Sequence, residues 1–251
     1  MKQFDLSIVI PALNEERRIG KSLDELAEFL QKTIFFNDKR VEVLVVSADS
    51  TDETHAIVRS KAHLFRDLRL LKPGPRLGKG RDVKYGMLRA KGLAVIFMDA
   101  DLATPLKHLP KFYKSFEEGA DVVIATRNLF KHHKRMGRRL LSNIGNLVFR
   151  IGGGIWVEDS QCGFKLFSYE ATQICFSRLN IMRWGFDMEI LTIAKANKLK
   201  IVTHRVNDWK HMPDGTFEVG IIKNSLNSLV DIGYIFIKRI TQQYKKDKLA
   251  Q

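Results

Sequence analysis

One stretch of the sequence decides the fold class: Val95-Ile96-Phe97-Met98-Asp99-Ala100-Asp101. Its first four residues are apolar and end at two carboxylates, which is typical of a buried strand that stops at the edge of a sheet. Further short apolar runs lie on both sides of it, and helical stretches separate them. This alternation predicts an α/β fold with a mostly parallel sheet and helices on both faces.

The first half of the chain alternates regularly. Strands are predicted at Leu6–Ile10, Val41–Val46, Leu68–Leu71, Leu93–Met98 and Val122–Ala125. Helices are predicted between them at Glu15–Phe36, Asp52–His63, Gly78–Ala90 and Pro105–Glu118. Because ligands of such folds bind outside the carboxyl ends of the strands, we expect the site in the segments that follow the strands.

The second half is less regular. Strands are predicted at Phe164–Phe167 and Lys200–Val206, and helices at Leu140–Ile151, Tyr169–Arg178 and Asp187–Lys198. From Val219 onward apolar residues recur at helical spacing, and lysines follow them. We therefore divide the chain into a domain over residues 1–218 and a basic amphipathic helix or tail over residues 219–251. This helix either packs on the domain or lies in a membrane interface with its lysines near anionic headgroups.

Composition narrows the class of protein. A chain of 251 residues is long enough for one sizeable core, and it has no apolar run of the roughly 18 residues that span a bilayer. No signal-peptide core follows Met1, so we expect an untargeted, cytosolic chain. Cys162 and Cys175 are expected to be buried thiols of a reducing compartment. The formal net charge of +14 implies an anionic partner: nucleic acid, an anionic membrane surface or a phosphorylated substrate.

Asp99 and Asp101 indicate metal chemistry. Two carboxylates one residue apart at a strand end can both reach one divalent cation. Mg²⁺ and Mn²⁺ prefer oxygen ligands and commonly bind through one or two carboxylates and substrate phosphates. The alternative is two solvated loop acids, or a helix cap before Pro105.

Gly78-Lys79-Gly80 opens a predicted helix. The segment fits neither the P-loop template nor the dinucleotide fingerprint. Two interpretations of the segment remain: a basic helix N-terminus that binds anions, and a simple loop with a helix cap.

Several segments resemble the family-2 inverting glycosyltransferases. They are Ser7-Ile8-Val9-Ile10-Pro11-Ala12-Leu13-Asn14-Glu15-Glu16, Leu77-Gly78-Lys79-Gly80 and Phe97-Met98-Asp99-Ala100-Asp101-Leu102-Ala103-Thr104-Pro105. Two further segments resemble the branch that acts on polyprenyl phosphates, particularly dolichyl-phosphate β-glucosyltransferases, with the mannosyltransferases as close relatives. These are Asp159-Ser160-Gln161-Cys162-Gly163-Phe164-Lys165-Leu166-Phe167 and Gly185-Phe186-Asp187-Met188-Glu189.

The resemblance implies a GT-A type fold and assigns residues to a donor site. The metal falls on Asp99 and Asp101, and acceptor or donor phosphates fall on Arg127, Arg138 and Ser142. The expected donor and cofactor residues are Pro11, Ala12, Asn14, Glu15, Asp49, Lys79, Asp99, Ala100 and Asp101. The chain departs from the family after the second strand, where Ser47-Ala48-Asp49-Ser50 replaces the usual Asp-Asp-Gly-Ser. Either Asp49 substitutes from a shifted position, or recognition of the base is altered.

We expect a metal-dependent inverting hexosyltransferase that uses Mg²⁺ or Mn²⁺. It would transfer glucose from UDP-glucose, or as second choice mannose from GDP-mannose, to a polyprenyl or dolichyl phosphate at the cytosolic face of a membrane. A phosphate monoester has a second pKa of about 6 and needs positioning more than deprotonation at pH 7. The arginine-rich stretch that begins at Arg127 suits that task. The expected catalytic residues are Asp159, Arg127 and Asp101.

Three roles are open for Asp159, namely help in holding the metal, orientation of the acceptor and base catalysis, and the last two are preferred. Asp187 and Glu189 are interpreted as helix-start acids that support Lys165 or the arginines. The rival functions are a family-2 transferase with a polysaccharide or soluble acceptor, a degenerate transferase that serves as a scaffold, and a basic nucleic-acid-binding protein. Against the last, the basic residues are not interleaved with aromatics, so we expect no nucleic-acid partner. The sequence leaves the oligomeric state open.

Overall fold

The structure, a computed structural model, describes residues 3–127, 154, 155, 157, 159–183, 185–210 and 221–245, with the backbone alone for residues 221–229. Its strands are β1 (Phe4–Pro11), β2 (Val41–Val46), β3 (Leu68–Leu71), β4 (Gly92–Met98), β5 (Val122–Arg127), β6 (Phe164–Ser168) and β7 (Ile201–Val206). Its α-helices are α1 (Ile19–Lys32), α2 (Thr54–Ser60), α3 (Lys79–Met87), α4 (Leu109–Glu117), α5 (Tyr169–Ser177), α6 (Phe186–Ala196) and α7 (Ile221–Ile240). Short 3₁₀ segments cover Ile34–Phe36, Ala62–Leu64 and Leu106–His108.

The strands form one sheet in the order β3-β2-β1-β4-β6-β5-β7. All neighbouring pairs are parallel except those of β6, which runs antiparallel to β4 and β5. Phe164, the first residue of β6, pairs with Met98, the last residue of β4. The chain therefore enters β6 at the edge where β4 ends, and this direction places the segment before β6 beside Asp99. The predicted α/β class and the mostly parallel sheet are confirmed.

Side chains alternate across the strands and build one core on each face of the sheet. Ile8 and Ile10 of β1 point to the face covered by α1, α2 and α4, whereas Val9 points to the face covered by α3, α5 and α6. This alternation is expected of strands that are buried on both faces. The predicted buried thiols are confirmed, since Cys162 and Cys175 are both buried and not disulfide-bonded. Burial raises the pKa of Cys162 to about 11.

Helix boundaries differ from the predictions. The helix predicted from Glu15 begins at Ile19, and its predicted end is a separate 3₁₀ segment. Residues 16–18 form a turn ahead of the helix, and the backbone N–H groups of Glu15 and Glu16 donate to the side chains of Thr54 at the start of α2 and of Asp52 in the loop before it. The other helices of the first half are likewise shorter than predicted. The predicted helix Leu140–Ile151 lies outside the described residues.

The helix predicted in the C-terminal region is present as α7. Its Ile235 is fully buried in the core that also contains α6, and Tyr244 just beyond the helix is buried there as well. The opposite face exposes Val230, Ile237 and Ile240. This part of the chain thus packs on the sheet domain and presents a second apolar face outward. Within the described residues, no helix combines the length and the apolar character needed to cross a membrane.

Candidate active site

Asp99 lies directly after β4, at the carboxyl edge of the parallel strands. Its backbone N–H donates to the carbonyl oxygen of Gly163 at 3.0 Å, which joins it to the segment before β6. A Cβ atom on Gly163 would overlap the carboxylate of Asp99, so only glycine fits at this close approach. The absence of a side chain at Gly163 therefore leaves room for the carboxylate of Asp99.

Asp101 lies beside Asp99 in a tight turn. Its Oδ1 accepts the N–H of Ala103 at 3.0 Å, and the carbonyl oxygen of Ala100 accepts a hydrogen bond from Ser22 of α1 at 2.6 Å. Burial raises the pKa of Asp101; the hydrogen bond from Ala103 opposes this rise and the carboxylate of Asp99 adds to it. Two carboxylates that repel each other at a strand end would be stabilised by a shared divalent cation.

The residues present fit a divalent cation that takes part of its ligand set from substrate. In the described ranges, no group of three or more His, Cys, Asp and Glu side chains could hold a metal ion by itself. Asp99 and Asp101 supply two carboxylates, which is the protein share expected when Mg²⁺ or Mn²⁺ is also bound by phosphates. Glu15 interacts electrostatically with both of these carboxylates. Burial raises the pKa of Glu15, Arg18 opposes the rise, and Asp101 and Asp99 add to it.

Lys79 of α3 forms an ion pair with Oδ1 of Asp99. Burial lowers the pKa of Lys79, but Asp99 and Asp187 outweigh burial, so the pKa is raised and the ammonium stays charged. The two glycines around Lys79 allow close packing. A Cβ on Gly78 would lie 2.5 Å from the carbonyl oxygen of Met182, and a Cβ on Gly80 would lie 2.7 Å from Cβ of Phe186. The Gly-Lys-Gly segment thus holds Lys79 against the acids.

The loops after β1 and β2 are tied together. Asn14, with a positive φ of 54°, donates its N–H to Oγ of Ser50 at 3.1 Å and accepts the N–H of Thr51 at 3.0 Å. The N–H of Glu15 donates to Oγ1 of Thr54 at 2.8 Å. The structure therefore gathers all nine predicted donor residues along one edge: Pro11, Ala12, Asn14, Glu15, Asp49, Lys79, Asp99, Ala100 and Asp101.

The departure from the family pattern has a local structure of its own. Ser47 is fully buried and its Oγ contacts Nε2 of His55 at 2.9 Å and Oγ of Ser50 at 2.8 Å. Asp49 is exposed, and its carbonyl oxygen accepts Nε of Arg76 at 2.9 Å. The structure thus places Asp49 at the surface and Ser47 in the interior. Arg76 was not predicted as a site residue, because no sequence motif marks it.

Arg127, the last residue of β5, is fixed by Asp159. Its Nε and Nη2 contact the two carboxylate oxygens of Asp159 at 2.6 and 3.1 Å, and its backbone N–H also donates to this carboxylate. The N–H of Gln161 adds a fourth hydrogen bond at 3.0 Å. Burial raises the pKa of Asp159, but the hydrogen bonds and charge of Arg127 outweigh it and the pKa is lowered. A carboxylate in this state is a weak base, so the geometry favours orientation as its role.

Behind these residues lies a buried ion pair. Lys165 of β6 is fully buried, contacts Asp187 at the start of α6, and donates to the carbonyl oxygen of Cys162 at 2.6 Å. The interpretation of Asp187 as support for Lys165 is confirmed. Glu189 has a different role: its Oε2 accepts the N–H of Ile181 at 2.6 Å, and its Oε1 accepts the hydroxyl of Tyr244 at 3.0 Å. Arg138 and Ser142, the remaining predicted phosphate ligands, lie outside the described residues.

Comparisons with known proteins identify the family of the chain. The sequence profile of Glycosyl transferase family 2 matches residues 7–173. A dolichyl-phosphate beta-glucosyltransferase of Trichomonas vaginalis is 31% identical over 90% of this chain and 72% of the relative. The Drosophila melanogaster enzyme of the same name is 34% identical over 78% of this chain and 64% of the relative.

Among solved structures, glucosyl-3-phosphoglycerate synthase from Mycobacterium tuberculosis is similar in fold. Its complex with UDP has a TM-score of 0.63 and 21% identity, and the match covers 92% of this chain and 81% of that one. Its complex with Mn²⁺, UDP and glucosyl-3-phosphoglycerate has a TM-score of 0.58 and 20% identity, over 98% and 82% of the two chains. This likeness confirms the expected GT-A type fold. The chain belongs to glycosyl transferase family 2. It is a glycosyltransferase, and its curated relatives are dolichyl-phosphate beta-glucosyltransferases.

Proposed function

We propose that this chain is a metal-dependent inverting transferase that moves glucose from UDP-glucose to a dolichyl or polyprenyl phosphate. The observation that carries the proposal is the pairing of two features at the carboxyl ends of β4 and β5, which flank β6: the acids Asp99 and Asp101 beside Lys79, and Arg127 fixed by Asp159. The first feature suits a departing diphosphate and the second suits an incoming phosphate. The names of the curated relatives support the same acceptor and sugar.

Asp99 and Asp101 would hold the cation. When bound, the cation supplies charge neutralisation for the departing diphosphate. Lys79 adds a second positive charge at the same place. Asn14 and Glu15, in the loop tied to Ser50 and Thr54, would line the nucleoside. The curated relatives are named as glucosyltransferases, so UDP-glucose is the first donor and GDP-mannose the second.

Arg127 would bind the acceptor phosphate. The fork to Asp159 uses only part of its guanidinium, so further N–H groups can serve an acceptor oxygen. Asp159 holds the guanidinium in one orientation and, with its lowered pKa, does not compete for protons. A phosphate acceptor is already ionised near pH 7, so this site can act on it without a general base. A sugar hydroxyl would need such a base.

The acceptor and cofactor are tested in one assay. Purified enzyme with Mn²⁺ receives labelled UDP-glucose or GDP-mannose, and either dolichyl phosphate or soluble and polymeric glucans. We expect transfer of glucose to dolichyl phosphate alone, and loss of transfer in Asp99→Asn and Asp101→Asn. Asp38→Asn is the matched control, because Asp38 is an exposed acid away from these strand ends. Transfer to glucans instead, or full activity of both variants with the metal chelated, would refute the proposal.

We further propose that α7 brings the enzyme to an anionic membrane at its cytosolic face. Val230, Ile237 and Ile240 lie 7 and 3 residues apart on one side of the helix and are 67%, 58% and 56% exposed. Lys238 lies in the last turn of the helix next to Ile237, and Lys245 follows five residues beyond the end of the helix. Exposed apolar side chains with flanking cations suit the interface of an anionic bilayer. A lipid-linked acceptor requires such an approach.

Vesicle binding tests this surface. We expect cosedimentation with phosphatidylserine-containing vesicles, weaker binding to neutral ones, and loss of both in an Ile237→Asp, Ile240→Asp double variant. Ile34→Asp is the matched control, since Ile34 is 84% exposed on the 3₁₀ segment after α1. Unchanged vesicle binding by the double variant would contradict the proposal. If light scattering shows a dimer of wild type and a monomer of the double variant, the stripe contacts a second copy of the chain instead of a membrane.

A further inference from the structure

Lys79 offsets part of the negative charge of the carboxylates at the proposed metal site. Its ammonium is paired with Asp99 and interacts electrostatically with Asp187 and Asp101 as well. The side chain of Lys79 is 19% exposed and that of Asp99 is 33% exposed. The pair is therefore less screened than a surface ion pair. Asp99 is already neutralised by a side chain of this chain before any cation arrives.

Asp187 is itself held by a second lysine. Lys165, fully buried, pairs with Asp187, donates to the Cys162 carbonyl, and places its ammonium 5.1 Å from the centroid of the Phe97 ring. Apolar residues of similar volume often stabilise a core as well as such a buried pair does, so stability alone does not account for it. The four groups alternate in charge: Asp99, Lys79, Asp187 and Lys165. The inner pair fixes a negative charge behind Lys79.

We propose that Lys79 occupies Asp99 in place of the divalent cation and moves to the donor diphosphate when donor and cation bind together. Asp187, fixed by Lys165, keeps the ammonium inside the site during this exchange and acts as a positioning residue. The inference rests on the proposed metal site at Asp99 and Asp101. Its consequence is that Lys79 makes metal binding conditional on the donor.

The exchange predicts how the affinities for cation and nucleotide depend on each other. Without nucleotide, a cation must displace Lys79 from Asp99 and share the site with the like charge of its ammonium. With a diphosphate present, the phosphate oxygens receive the ammonium, so cation and nucleotide each strengthen the binding of the other. Removal of the ammonium should strengthen binding of the cation alone and weaken this mutual effect. A lysine that only stabilised the fold would do neither.

Mn²⁺ binding tests the exchange without any turnover. The electron paramagnetic resonance signal of free Mn²⁺ is titrated with wild type, Lys79→Met and Lys79→Gln, each with and without UDP. Without UDP, we expect both variants to bind Mn²⁺ roughly tenfold more tightly than wild type, because a nearby like charge is removed from a partly screened site. The strengthening by UDP should fall by the same factor. Lys114→Met, at an exposed position of α4, controls for net charge.

The outcomes separate the two proposals. Mn²⁺ affinity without UDP that is equal or weaker in both folded Lys79 variants would overturn the exchange, while UDP-dependent Mn²⁺ binding by wild type would leave the metal site standing. Absence of Mn²⁺ binding to wild type even with UDP would overturn both. Circular dichroism establishes that each variant is folded, and the glutamine variant retains a polar side chain if methionine is not tolerated.

Discussion

Replacement of Asp159 by asparagine tests how the acceptor side of the site works. The carboxylate accepts four N–H groups, three of them from Arg127, and it is 3% exposed. Asparagine keeps one acceptor oxygen and places an amide against the other donors. Loss of two charge-assisted hydrogen bonds, at about 1.5–3 kcal/mol each, gives an upper range of about 3–6 kcal/mol. Since Arg127 is partly exposed, we expect the free energy of unfolding to fall by about 3 kcal/mol at pH 7.

The rate should fall through misplacement of Arg127. An ångström-scale shift of a positioning group costs about a hundredfold, so we expect kcat/KM for the lipid phosphate to fall by about that factor. The assay is the pH dependence of kcat/KM in wild type and Asp159→Asn. Both should keep an acidic limb near pH 6, because that limb belongs to the acceptor phosphate. A variant that loses the limb would show that Asp159 is the base, and an unchanged kcat/KM would refute the positioning role.

Three further predictions concern single groups. Burial raises the pKa of Asp82 to about 6 from 3.8, with Arg81 in opposition, so this acid destabilises the folded state increasingly from pH 4 to pH 6. Asp82→Asn should therefore raise the free energy of unfolding by up to about 3 kcal/mol at pH 7.5, and an equal gain at pH 4 would contradict this. Gly163→Ala should weaken Mn²⁺ binding with UDP by about 10–100-fold in paramagnetic resonance titrations, since Cβ displaces Asp99; unchanged binding would refute the packing argument. Tyr244→Phe should lower the free energy of unfolding in urea by about 1 kcal/mol through loss of the bond to Glu189, and no change would show that α6 does not hold the C-terminal segment by this contact.

The apolar runs were sufficient to predict the strands. Val41–Val46 and Leu68–Leu71 have the predicted bounds, because apolar patterning and polar neighbours mark both ends of each strand. Helix starts were harder to predict. Glu15 has the composition of a first helical turn, yet the helix begins at Ile19. The N–H of Glu15 donates to Thr54, a partner 39 residues away that no local pattern encodes.

The site was predictable where it follows a strand and not where it depends on strand direction. Asp99 and Asp101 could be placed at the sheet edge from the run before them. The contact of Arg127 with Asp159 spans 32 residues and depends on the chain that returns to enter β6 in the antiparallel direction. The apolar run of β6 does not reveal that this one strand is antiparallel to its neighbours. The family motif signalled that Asp159 matters, but only the structure showed what it holds.

The direct test of the central claim is the chemical identity of the products. Enzyme, Mn²⁺, UDP-glucose and dolichyl phosphate are incubated, and the lipid product is analysed by mass spectrometry and by the NMR coupling constant at the anomeric carbon. The account predicts one molecule of dolichyl β-glucosyl phosphate, with the β configuration at the anomeric carbon of glucose, for each UDP released. An α-linked product, or release of UDP without glycosylated lipid, would contradict it.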